Sequence, residues 1–426
     1  MKVCDTRPRD HTARPVDNLT HALIGLTSAE AIVRFTERKR SIDPWARSAT
    51  YAFAIIGNNL PDLDFSYSSI SGKTFGYLLQ HRGYTHTLPA AFGFALAMLA
   101  VLWGLTKWRA RRLAARDWWL LAAVALVSPL LHLLMDFANN YGVHPFWPLY
   151  SGWFYGDSFF ILEPSFWLVL IAPLSFSYRS KWLRRGLWLI MSVALGALWY
   201  RPFVPRGHAV AFSLLTLALL VIARRLSPYA RLLLAGSTFM FLAGLFVLNS
   251  RRVKAIVSEQ AAVSASRARS LDIVATPLPA NPFCWSVLLL QKDRTDYVVR
   301  LGRVATWPAW LDVSSCPADK NAAPSAPLRA LTGSVDTQLS WQSEYRVSLA
   351  ELQAVLHGRC EGRAFARFVR VPYLTAPAAT GTRILGDLRY DRNPGLDFSD
   401  LSLSQQEQQC PKHVPDWLPP RSDILF

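Results

Sequence analysis

Six long apolar runs, separated by short polar or basic segments, decide what this chain can become. They are LPAAFGFALAMLAVLWGLT (88–106), WWLLAAVALVSPLLHLLM (118–135), FFILEPSFWLVLIAPLSF (159–176), LWLIMSVALGALWY (187–200), AVAFSLLTLALLVIA (209–223) and LLLAGSTFMFLAGLFVL (232–248). A helix that crosses a bilayer needs about 20 predominantly apolar residues, with about 17–25 tolerated. The first three runs meet that or nearly so, and the 187–200 and 209–223 runs must borrow flanking residues. Two weaker candidates, 19–35 and 47–60, carry His21, Glu30 and Asn58, which turns them toward protein rather than lipid. The expected fold is mainly α, a polytopic membrane bundle of about eight helices.

Beyond residue 250 the composition becomes that of a soluble chain. WSVLLL (285–290), the charged turn QKDRTD and YVVRLG (297–302) read as a hairpin within 271–303. RAFARFVRVPYLTA (363–376) offers a further strand, so a β-rich or α+β domain is expected. The organisation read from the sequence is a tail (1–18), a helix bundle (19–249) and an extracytoplasmic domain (250–426). The first eighteen residues are charged and lack an apolar core, so no cleavable signal peptide is expected.

The formal charge of +17 raises nucleic acid as a partner, but a nucleic-acid binder concentrates its basic residues on one folded face. Here they fall in short clusters between apolar runs. RFTERKRSIDPWAR and KWRARRLAAR carry five each, YRSKWLRR four and ARRLSPYAR three, against two in 59–87, none in 138–158 and two in 201–208. Cytoplasmic loops carry the excess of Lys and Arg, so the poorly basic loops and the 250–426 domain belong outside the cytoplasm. Arg251, Arg252 and Lys254 count against this, although residues ahead of a long translocated domain are weak topology signals. Cys284, Cys316, Cys360 and Cys410 all lie in that domain, which suits two disulfides in an oxidising compartment. Their connectivity is open.

With this orientation, ionisable residues gather at one membrane face. His21 lies in THALIG, Asp62 and Asp64 in NNLPDLDF, His81 and His86 in HRGYTHT, and His132 and Asp136 in HLLMDFANNYG. Singly, each is better explained as a capping or interfacial residue. The His132/Asp136 pair is stronger, because i, i+4 spacing puts both on one helical face. In extended geometry Asp62 and Asp64 would point to the same side. Three acids and four histidines at one face outweigh the bland reading, since ionisable groups at membrane depth are costly. Imidazole and carboxylate without cysteine suit a divalent metal, zinc first, with manganese or iron as alternatives. Seven candidate ligands leave room for one or two ions. Gly83 would turn the chain so that both imidazoles of HRGYTH converge, and Arg82 would project as a fork toward an anionic group.

THALIG, NNLPDLD, HRGYTHT, HLLMDFANNYG with WPL, and GDSFFILEP, in this order over residues 20–164, resemble the YdjM-like bacterial inner-membrane proteins, described as metal-dependent hydrolases. PLPANPFCWSV and GDLRYDRNPGL look like landmarks of longer members. The resemblance implies a metal site of His21, Asp62, Asp64, His81, His86, His132 and Asp136. Relatives often carry Asp before the proline of ILEP, so Glu163 stands in for that acid.

These readings converge on a membrane hydrolase whose metal lowers the pKa of a water and polarises a phosphoryl or acyl oxygen. Asp64 or Asp136 would ligate or act as base, Arg82 would hold the anion, and Glu163 would complete the catalytic set. The expected partners are membrane lipids and an anionic, phosphoester or lipid-linked envelope substrate, without nucleic acid. The alternative is a non-enzymatic envelope or stress-response protein that the metal stabilises. A transporter is disfavoured, because polar residues do not continue across the later helices. A reporter that works only in the periplasm, fused after residue 426, should be active; activity from a cytoplasmic reporter alone would overturn the topology.

Overall fold

The computed structural model describes residues 18–72, 75–178, 180–201, 204–263, 268–317, 327–331, 336–390, 399–404 and 410–425. Cys4 and the DRNPGL part of the second landmark lie outside these residues. The helical region runs α1 (Asn18–Glu37), α2 (Pro44–Gly57), α3 (Gly76–Gln80), α4 (Leu88–Trp108), α5 (Ala115–Phe137), α6 (Pro164–Leu174), α7 (Lys181–Tyr200), α8 (Arg206–Arg225) and α9 (Pro228–Val263). The start signals are local. Asp43 caps α2 ahead of Pro44, Thr87 caps α4 ahead of Pro89, and Glu163 caps α6 ahead of Pro164. In each, a side-chain oxygen satisfies backbone N–H groups that the first turn leaves unpaired.

Four of the described helices, α4, α5, α8 and α9, are long and apolar enough to cross a membrane. The sequence predicts about eight spans, so fewer meet both criteria than expected. The clearest departure is at 159–176, where the helix is only the 11 residues of α6. At 1.5 Å per residue that is about 17 Å, well short of a hydrocarbon core of about 30 Å. Every residue of α6 except the half-buried Trp167 is buried, so its apolarity serves a protein interior. By contrast α9 has 36 residues and a length of about 54 Å. It passes residue 250 without a break and carries the chain into the β region.

Contacts tie the basic loops to one end of the bundle. Arg40 pairs with Asp117, Arg38 lies over the Tyr229 ring, and Arg231 donates to the Phe176 carbonyl. The opposite end gathers the N-terminus of α1, the C-termini of α2 and α5, and the approach to α4. At Gly25 a Cβ would come within 2.4 Å of the Ala54 carbonyl oxygen, so the bare glycine lets α1 and α2 touch one turn below His21.

The later chain builds an antiparallel sheet of order β1-β2-β3-β5-β4 from β1 (Arg269–Leu278), β2 (Asn281–Asp293), β3 (Asp296–Ala305), β4 (Arg329–Ala330) and β5 (Leu339–Ser348). Helices α10 (Leu349–Gly358) and α11 (Cys360–Phe365) follow, then β6 (Pro372–Leu374), β7 (Arg383–Asp387) and β8 (Asp400–Leu403), and finally α12 (Ser422–Leu425). The hairpin read from the sequence is β2–β3, closing at Asp293 opposite Asp296 with Arg294 at φ 56°. In RAFARFVRVPYLTA only Pro372–Leu374 is strand, because α11 takes its start. Alternation along β2 joins the two halves. Trp285, Val287 and Leu289 pack with α6, α7, α8 and α9, while Leu288 and Leu290 face the core that holds Leu78, Leu79 and α10.

Cys284 bonds Cys316 and Cys360 bonds Cys410, closing loops of 32 and 50 residues. Thiol reagents should label none of these four cysteines until the unfolded protein is reduced. Cys284→Ser should cost about 2–5 kcal/mol, read as earlier denaturant unfolding of the β region, and labelling of all four without reduction would refute both bonds.

Candidate metal centre

The acids come from the turn after α2. Pro61 starts a 3₁₀ turn, Pro61–Ser66, rather than the extended segment that would put both carboxylates on one side. Asp62 and Asp64 both reach His86, at its two ring nitrogens, and otherwise differ in their neighbours. The Asp62 carboxylate lies 3.4 Å from His86 Nε2 and 3.6 Å from His132 Nε2, whereas Asp64 lies 3.2 Å from His81 Nδ1 and 3.3 Å from His86 Nδ1. Asp136, one turn beyond His132, reaches His86 Nε2 at 3.1 Å, His132 Nε2 at 3.3 Å and His21 Nε2 at 3.3 Å. Among the described residues two ligand groups result, Asp62–His86–His132–Asp136 and Asp62–Asp64–His81, each with its ligand atoms within 4.8 Å of one another. They share Asp62. His21 stacks on His132 at 3.8 Å between ring centroids and stands beside the first group rather than in it.

The imidazoles are aimed by what their other nitrogens touch. His132 Nδ1 lies 2.7 Å from the Asn58 carbonyl oxygen, which can only accept, so the proton sits on Nδ1. His86 Nδ1 faces Asp64 in the same way. Both Nε2 atoms then point lone pairs inward, and they are 3.1 Å apart. Facing lone pairs repel unless a cation or a proton lies close to both. Oxygens Oδ2 of Asp62 and of Asp136 are buried there without a hydrogen-bond donor.

Charge sharpens the same point. Among the described residues, the guanidinium that pairs with this group of Asp62, Asp64 and Asp136 is that of buried Arg82, held on Asp136. With neutral histidines the cluster carries two negative charges in excess, a cost that burial does not tolerate and that a divalent cation cancels. Burial alone would lower His86, but hydrogen bonds with Asp136, Asp62 and Asp64 raise it well above an ordinary histidine. Asp64 is held below the usual carboxylate range by His81 and His86, against the upward pull of burial. The donor set fits a divalent metal, with Nε2 of His86 and His132 and the carboxylates of Asp62 and Asp136 able to hold it.

Arg82 does not project outward. It is fully buried, with Nη2 on Asp136 at 2.9 Å and Nη1 on the Asn139 side chain at 2.8 Å, and it lies over the Tyr141 ring. The left-handed residue of the turn is Arg82 itself, at φ 56°, while Gly83 has φ −85°. A β-carbon in that region costs about 1–2 kcal/mol. The Asp64 carboxylate, accepting from Arg82 N at 2.8 Å, and the pairing with Asp136 over-determine the conformation.

Glu163 belongs to neither ligand group. Its Oε1 accepts from Ser165 N and, with Oε2, from Ala280 N in the β1–β2 turn. The carboxyl lines a crevice of about 20 Å³ with His21, Asp136, Asn139 and Phe166. A space of about 10–15 Å³ holds a water, so this one has room for a single molecule. Burial pushes Glu163 up to about 7.

Asn139 and Tyr141 were not singled out from the sequence, and Asn58 stood out only as a polar residue that turns its helix toward protein. Asn139 and Tyr141 follow Asp136 within the HLLMDFANNYG motif, and a polar pair directly after a helix end is the signal that points to them. The Asn58 contribution is a backbone oxygen, to which side-chain chemistry gives no clue. His144, also buried, lies outside the ligand groups, stacked on Trp417 at 4.0 Å and held neutral, down to about 3, by burial.

Residues 16–208 match the family described as YdjM inner membrane protein, which is the resemblance that the motifs carry. No curated protein and no solved structure matches the chain.

Asp136→Asn and His132→Ala should each weaken divalent-metal affinity by about tenfold or more, measured as metal content of purified protein that still inserts in membranes. Because the metal needs the neutral imidazole of His86, metal uptake should release about one proton. Affinity should fall by up to about tenfold per pH unit of acidification. Calorimetry in buffers of different ionisation enthalpy checks this, and unchanged metal content in both variants would remove the site.

Proposed function

We propose, from the premise of a chain whose membrane region matches the YdjM inner membrane protein family, that the centre is that of a metal-dependent hydrolase at the periplasmic face. The carrying observation is the water-sized crevice between Asp136 and Glu163, directly beside the ligand groups. A structural site is closed all round, whereas a catalytic site keeps room for water. A divalent metal held by Asp62, His86, His132 and Asp136 supplies Lewis-acid polarisation and a more acidic water.

The chain's own residues do the remainder. Glu163, ionising near neutrality, takes a proton from a water in the crevice and returns it to the leaving oxygen, the range in which a general base is most effective. Asp64 orients His81 and His86, and Arg82 holds Asp136 in place. Phe159, Phe166 and Met135 keep the crevice otherwise dry. The periplasmic orientation is supported by the basic loops, which lie at the opposite end of the bundle from the cluster. A centre at headgroup depth favours an anionic phosphoester or lipid-linked substrate.

The competing reading, a metal that stabilises the bundle without catalysis, draws on the near-complete burial of every ligand. A panel of phosphoesters and phospholipids, offered to protein loaded with zinc, manganese or iron, separates the two. Chelation should abolish turnover and metal should restore it. Glu163→Gln should keep the metal, lose about 10²-fold or more in rate, and lose the rise in rate as pH passes about 7. Metal-loaded, folded protein that turns over nothing, while chelation lowers its melting temperature, favours the structural reading.

A further inference from the structure

The segment 410–425 is fixed at both ends to the β region. Cys410 is bonded to Cys360, and the Ile424 and Leu425 carbonyls accept from Gln353 and His357 of α10. Its middle crosses to the membrane half. There the His413 carbonyl accepts from the Ser71 hydroxyl and from Gln80, and Leu418 N donates to the Ser151 carbonyl. Arg367 holds the Trp417 carbonyl at 2.6 Å, so the backbone that carries this indole is itself secured.

Trp417 is 1% exposed, and much of what buries it is the HRGYTH turn. Its ring stacks on His144 at 4.0 Å, meets the Tyr84 ring at 4.8 Å and lies where a Cβ on Gly83 would come within 3.4 Å. The indole N–H donates to the Leu79 carbonyl at 3.4 Å. Leu79, Gly83 and Tyr84 flank His81 and Arg82 on both sides and lead into His86. The same turn is gripped from within by Asp64, which accepts from Arg82 N, and by Asp136 on the guanidinium. Asp136 serves the cation as well as the turn, whereas the indole touches no ligand atom and serves the turn alone. A ligand must be held within about 0.5 Å of its working position, and the groups that hold it decide whether it is.

We propose that Trp417 is a positioning residue of the metal centre: it clamps the HRGYTH turn from outside and so sets His86 Nε2 against Asp62, His132 and Asp136. The ligands lie within residues 16–208, which match the family, and Trp417 lies far beyond them, so the clamp is supplied by the later chain. The inference rests on the metal centre and not on hydrolysis, and no turnover enters its test.

Cobalt(II), whose visible absorption reports the geometry of its ligands, is the probe, titrated into the full chain purified in detergent. Trp417→Ala should lower cobalt affinity about tenfold or more and shift the absorption bands. Trp417→Phe keeps a ring on Gly83 and Tyr84 and should restore most of both. Val313→Ala loosens the β region beside the Cys284–Cys316 bond rather than on the turn, and should leave affinity and bands as in wild type. Coupling between two sites is reciprocal, so cobalt should also slow hydrogen exchange of the 413–418 amides in wild type, a measurement that needs no variant. Folded Trp417→Ala with unchanged affinity and bands, an equal loss in Val313→Ala, or cobalt that protects the HRGYTH turn but not 413–418 overturns the proposal while the metal centre stands. Wild type that binds no cobalt overturns the centre, and this inference with it.

Discussion

Three carboxylates buried around a single guanidinium are the constraint from which the rest of this architecture follows. Asp62, Asp64 and Asp136 are almost wholly removed from water, and among the described residues it is Arg82, paired with Asp136, that opposes them with a permanent charge. Such an excess is tolerable in a low-dielectric interior only if cations or protons complete it. Four separate segments must converge within a few ångströms to assemble it: the start of α1, the turn after α2, the HRGYTH turn, and the end of α5 with the NNYG stretch that follows it. Close α1–α2 contact at Gly25 and the strained Arg82 conformation are geometric costs accepted for that convergence.

The β region locks the convergence rather than trailing behind it. Arg389 donates to the Asn140 and Tyr141 carbonyls, next to the Asn139 side chain that receives Arg82. It is itself held by Asp387, which also accepts from Arg370 N. The Arg370 guanidinium grips both oxygens of Asp157 at 2.7 and 2.9 Å and reaches Asp272 as well. Trp417 stacks on His144, and Gln80, one residue before His81, donates to the His413 carbonyl. Charged pairs this deep contribute little net stability, but removing one partner leaves a buried charge and costs about 3–5 kcal/mol. They are better understood as fixing register between the halves than as driving their association.

Much of the centre was legible because it is written in side chains at fixed intervals. His132 and Asp136 are one helical turn apart and enter one ligand group with Asp62 and His86, while His21 stands beside it. Failures came where backbone or distant partners decide. Arg82 could be expected to reach outward only because its partner, Asp136, lies 54 residues away. The PDLD carboxylates stay close enough to share a ligand group with His81, but a proline-led 3₁₀ turn, not an extended segment, brings them there. Arg252 and Lys254, which looked like topology signals out of place, are occupied by the Trp307 ring and Asp157. Hydropathy likewise could not separate a lipid-facing run from a buried one at α6.

That helix carries the deeper consequence. Pro164 and Pro173 sit near its two ends, and its side chains are apolar all round, the pattern of a helix enclosed by protein rather than lipid. Being short, it can begin at the depth of the cluster instead of at a membrane boundary. Its N-terminus therefore hangs Glu163 beside Asp136, and the same carboxyl receives the Ala280 N–H of the β1–β2 turn. A single acid thus caps a helix, borders the crevice and anchors the soluble half to the membrane half. An aspartate at this position, one methylene shorter, could satisfy the cap while drawing back from the Ala280 N–H. The longer arm of Glu163 is matched to a chain in which the β1–β2 turn must be held from the membrane side.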